Sequence, residues 1–94
     1  MTEAQADYHL EPPTSPPAKV VSAAHEILLR KVPDLDQFAL TTLVFSYVQR
    51  EWWVAFCLKD DPSAESIVEV TFADGSDLLV LGTKWRGEDW VWKE

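Results

Sequence analysis

Ninety-four residues suffice for one small domain, which buries only about 60% of the surface its unfolded chain exposes; five Trp, four Phe and two Tyr supply the bulk such a core needs. Sixteen acidic against eight basic residues, a net charge of −8, argue against a phosphate backbone as ligand, because Lys and Arg do that neutralising work. The same balance suits a basic protein partner, whose complementary field speeds encounter, as well as it suits plain solubility.

Residues 1–14 read as an acidic, proline-bearing flexible tail, and residues 15–94 as a single domain. The tail offers acids and prolines where a signal peptide needs basic residues and an apolar run. No stretch nears the roughly 20 apolar residues of a membrane span, and the lone Cys57 cannot form an internal disulfide. A soluble, cytoplasmic protein is expected.

Ser15, Pro16 and Pro17 mark a helix start, with the serine hydroxyl as cap and proline in the first turn. Residues 18–31 carry Val20, Val21, Ala24, Ile27 and Leu28 at spacings of three and four, an amphipathic helix that Pro33 stops. Residues 34–39 are open between a short second helix or 3₁₀ turn, with Asp34 and Gln37 as a loose capping box, and an irregular crossing.

Strands follow. Residues 40–48 are apolar on both parities, Leu43, Phe45 and Tyr47 against Val44 and Val48 with Ser46, as in a strand covered on two sides. Gln49, Arg50 and Glu51 turn the chain into residues 52–59, where Trp52, Val54, Phe56 and Leu58 share one face by the period of two. After an acidic loop, residues 67–72 place Val68, Val70 and Phe72 on one face and Glu69 and Thr71 on the other. Residues 73–76 predict a tight hairpin with Gly75 at positive φ. A fourth strand runs from Leu78 to Trp85, and Arg86, Gly87 and Glu88 turn into a last strand over 89–93, with Trp90 and Trp92 on one face. The order predicts an α+β fold: one N-terminal amphipathic helix on a curved antiparallel sheet of four to five strands.

No catalytic, cofactor or metal motif emerges. Cys57 stands mid-strand with Lys59 as its only local cation, which fits a packed small side chain better than a reactive thiol. His9 and His25 have no nucleophile in a recognisable context. The paired loop acids Asp34 with Asp36, Asp60 with Asp61, and Asp74 with Asp77 follow no calcium-loop spacing, and no His or Cys pair has zinc spacing.

Adjacent Trp52 and Trp53 must point to opposite faces of their strand, so one indole enters a helix-covered interior and the other does not. An open face lined by Trp53 with Tyr47 or Trp85 would dock a protein or a second copy of this chain. Alternatively, strong curling, the tail, or the strand of Trp90 and Trp92 seals that face as a second small core.

The helix, the polar turn, Glu51-Trp52-Trp53-Val54-Ala55-Phe56, the acidic loop, Ile67-Val68-Glu69-Val70 and the Asp74-Gly75 hairpin before Leu79-Val80-Leu81 together resemble small cystatin-like cone domains. Over residues 18–85 the chain is most similar to nuclear-transport-factor-like immunity proteins of bacterial toxin systems, and next to PepSY-type inhibitory domains. Asp60-Asp61-Pro62-Ser63-Ala64 stands where the immunity domains have more glycine, and no functional residue of the family maps onto a single position here. The resemblance implies a cone fold and a non-catalytic inhibitor. Such an inhibitor would present Asp60, Asp61, Glu65 and Glu51 or Glu88 to a basic partner, with Trp53 as apolar anchor. A self-associating accessory subunit joined through the aromatic face is the alternative.

Overall fold

A computed structural model describes residues 11–61 and 66–90. Its fold is α+β, one helix on an open five-stranded antiparallel sheet. The elements are α1 (Pro17–Leu28), a 3₁₀ turn (Leu35–Gln37), β1 (Phe38–Ser46), β2 (Glu51–Leu58), β3 (Val68–Ala73), β4 (Leu79–Trp85) and β5 (Glu88–Asp89). The strands form a meander in the order β1-β2-β3-β4-β5. Among the described residues no helix is long and apolar enough to cross a membrane.

The apolar stripe of α1 decides where the core sits. Val20, Ala24 and Leu28 recur every fourth residue and are all fully buried. Beneath them lie Trp52, Val54 and Phe56 of β2 and Val68, Val70 and Phe72 of β3. Register explains the fit: Trp52 stands opposite Phe72, Val54 opposite Val70 and Phe56 opposite Val68, so every pair presents two apolar side chains to the helix. Leu43 and Phe45 extend this layer onto β1, and Val80 and Trp85 onto β4.

Several local expectations are corrected. Ser15 does not cap the helix: Pro16 holds the cap position with extended backbone and no side-chain cap bond. The Ser15 hydroxyl donates instead to the Gly75 carbonyl at 2.7 Å, and Ser15 is buried in that contact. α1 ends at Leu28, three residues short of the expected end, and residues 29–31 form a turn closed by Val32 N–H on the Leu28 carbonyl. The 3₁₀ alternative holds at Leu35–Gln37, without a side-chain cap from Asp34. β1 begins two residues early and ends before Tyr47, because the turn takes residues 47–50, closed by Arg50 N–H on the Ser46 carbonyl.

Gly75 does not adopt positive φ. Among the described residues that conformation falls to Arg50, Arg86 and Gly87, and the Arg86-Gly87 pair makes the two-residue β4–β5 hairpin. The last strand, expected over 89–93 after a turn through Glu88, starts one residue earlier as β5 (Glu88–Asp89) and does not include Trp90. Trp90 packs on the core, its carbonyl accepting from the Thr83 hydroxyl, while Val91, Trp92 and Lys93 lie outside the described residues.

Candidate protein-binding face

The two indoles of β2 divide as strand geometry requires. Trp52 is 3% exposed beneath the helix, with its ring centroid 4.9 Å from that of Phe45. Trp53 is 43% exposed on the opposite face. Farther along the same side of β2, Ala55 and Cys57 are buried, so within β2 the open part of this face lies around Trp53.

Three cross-strand rows build it. The central row runs Val44, Trp53, Thr71 and Gly82 across β1 to β4. One flanking row runs Ser46, Glu51, Ala73 and Leu79; the other runs Thr42, Ala55, Glu69, Lys84 and Asp89. Gly82 leaves open space where a Cβ would stand, so the floor beside Trp53 is hollow. The resulting depression of about 310 Å³ is lined by Glu51, Trp53, Glu69, Thr71, Gly82, Thr83, Lys84 and Asp89. Three carboxylates and one ammonium line it, and the Trp53 indole donates to Glu69 at 2.7 Å.

The expected site residues do not all meet here. Trp53 and Glu51 line the depression. Tyr47 stands in the β1–β2 turn edge-on to Phe45, with ring centroids 5.0 Å apart, a contact with a core-side ring. Trp85 lies opposite Val68 and beside Phe38, with centroids 6.0 Å apart, and so belongs to the helix-covered layer. Neither aromatic stands beside Trp53. Asp60 and Asp61 are exposed past the far end of β2; at about 3.3 Å per residue, Asp60 is roughly 20 Å from Trp53. Glu65 lies outside the described residues, and Glu88 is exposed in β5.

Glu69, Lys84 and Asp89 are the members that reading by composition overlooked as site residues. The parity of β3 already set Glu69 against the buried Val68 and Val70. What it lacked was the pairing that brings Glu69 diagonal to Trp53 and Lys84 opposite both Glu69 and Asp89. Cys57 is buried beside Ala55 on the same side of β2, and His25 stands exposed on α1, edge-on to Phe56. Among the described residues, no three His, Cys, Asp or Glu side chains gather into a metal-holding group.

Fold and face together define a small α+β domain with one side of its sheet sealed by a helix and the other presenting a half-exposed tryptophan bonded to Glu69 in a depression that Glu51 and Asp89 also line. Comparison with known proteins finds no matching family model, no matching curated protein and no matching solved structure.

Proposed function

We propose that this domain is a non-catalytic module that binds, and so inhibits or regulates, a basic protein partner through the open face around Trp53. The observation that carries the reading is the contrast within β2: Trp52 is sealed under the helix while Trp53 stays half exposed beside Glu51 and Glu69. A large aromatic anchor with carboxylates around it suits a lysine or arginine side chain whose stem lies on the indole and whose charge meets the acids. An immunity-type inhibitor of a toxin with a basic cleft is the particular form implied by the resemblance to cystatin-like domains. A reducing, cytoplasmic setting accords with the single, buried Cys57.

A face-to-face homodimer is supported less well. It would press Glu51, Glu69 and Asp89 of one copy against the same acids of the other, and like charges opposed across an interface cost affinity.

Affinity purification from the native cell, followed by titration of the recovered partner, tests the proposal. Trp53→Ala should weaken binding by about 30-fold, the loss of roughly 2 kcal/mol typical of an anchoring aromatic. Glu69→Lys should weaken it as well and reduce its dependence on salt. The distant pair Asp60→Lys with Asp61→Lys should act mainly by slowing association. Unaltered affinity in both Trp53→Ala and Glu69→Lys would remove this face as the binding surface.

A further inference from the structure

We infer that β1 is a docking edge for a second copy of this chain, the two β1 strands pairing antiparallel about a two-fold axis at Val44. The two edges of the sheet are built differently. β5, at one edge, has two residues and both are acidic, Glu88–Asp89, the short and charged form that discourages pairing. β1, at the other, is nine residues long, and its ladder runs to β2 alone among the described residues. From Phe38 to Val48 the chain holds neither a charged residue nor a proline.

That edge is complementary to itself. A register shift between Leu40 and Thr42 breaks the ladder, and beyond it residues 42–46 alternate regularly. Thr42, Val44 and Ser46 belong to the open face, while Leu43 and Phe45 belong to the helix side. An antiparallel copy centred on Val44 therefore sets Val44 against Val44, Leu43 against Phe45 and Thr42 against Ser46. Each pair keeps to one face, and each joins like with like: branched aliphatics, large apolar side chains, and two hydroxyls. Val44 is 47% exposed and already stands opposite Trp53. Pairing would thus join Trp53 and Val44 of one copy to Val44 and Trp53 of the other in one apolar row, on a continuous ten-stranded sheet. A basic partner finds no acid between residues 38 and 48 to meet, so a second copy is the occupant this edge fits.

The dimer does not depend on the proposed partner, and its test needs none. Sedimentation over a concentration series reaching the sub-millimolar range should show a monomer–dimer equilibrium, since so small an interface makes a weak complex. Added salt should tighten the dimer by screening two chains of net charge −8, whereas it loosens capture of a basic partner. Val44→Lys, a change at an exposed position that leaves the core intact, should weaken association at least tenfold by placing two ammonium groups opposite each other. Under mild oxidation Val44→Cys should give a disulfide-linked dimer, and Val48→Cys, four positions off the axis, should not. A monomer at every concentration, a dimer unaffected by Val44→Lys, or one that salt loosens would overturn the inference.

Discussion

Replacing Phe72 with alanine is expected to lower the unfolding free energy by about 3–5 kcal/mol, the range for removing a fully enclosed phenylalanine. Phe72 is 0% exposed and sits where three strands meet, opposite Trp52 on β2 and Val80 on β4, in the core closed by Val20, Ala24 and Leu28. Loss of the ring removes the transfer energy of its carbons and leaves a hole that a helix resting on β2 and β3 cannot fill without tilting. A domain of this length has a total stability of only about 5–14 kcal/mol, so the variant should be close to half unfolded in mild denaturant. Urea titration reads the effect as a large fall in midpoint at nearly constant slope. Phe72→Leu keeps most of the volume and should cost less than about 1.5 kcal/mol. A fall below about 1 kcal/mol in Phe72→Ala would mean that the helix does not seal this face.

Alternation made this core legible before any coordinates. Val68, Val70 and Phe72 on one parity and Trp52, Val54 and Phe56 on another need only the period of a strand to be assigned to a shared face, and the spacing of Val20, Ala24 and Leu28 supplies the lid. The opposition of Trp52 and Trp53 follows from the same rule. What alternation does not carry is pairing across strands. Tyr47 shares the parity of Phe45 yet leaves the sheet, because a four-residue turn closes on Ser46 one step before it. Trp85 looks free by spacing, but the register shift between Thr71 and Phe72 fixes which face of β4 meets the helix and sets Trp85 over Val68. Ser15 failed as a cap for a related reason. A hydroxyl before two prolines has the right chemistry to accept from a free helix N–H, but the cap position falls to Pro16, and the Ser15 hydroxyl donates to the Gly75 carbonyl sixty residues away. Local rules name the candidate group; only the folded chain selects its partner.

The same serine also donates its backbone N–H to Asp74, whose replacement by asparagine should cost about 2–3 kcal/mol at neutral pH. One carboxylate gathers four groups: the Thr14 N–H at 2.7 Å, the Ser15 N–H at 3.2 Å, the Trp52 indole at 3.1 Å and the Arg50 guanidinium at 3.6 Å. Arg50 in turn donates to the carbonyls of Glu11 and Pro12, and Lys19 to that of Ser76, so the chain entering α1 is fastened to the β3–β4 loop. The amide of asparagine offers one accepting oxygen in place of two and no charge, which strands either Thr14 N–H or the buried Trp52 indole. Desolvation alone would raise the pKa of Asp74, but the donors from Thr14, Trp52 and Ser15 favour the ionised form more strongly and hold it below its ordinary value. Because the folded state binds this proton more weakly than the unfolded chain does, the stabilisation is complete above the unfolded value of about 3.9 and is lost as pH falls through the lower folded value. The gap between wild type and Asp74→Asn should therefore stay constant from pH 7 to about pH 5 and close below pH 4; taking the difference cancels the titration of the other carboxylates. Urea midpoints across that range measure it, and amide exchange at Thr14 and Ser15 should quicken in the variant if the latch is what has opened. A gap that does not change with pH would show that the carboxylate's charge contributes nothing to the fastening.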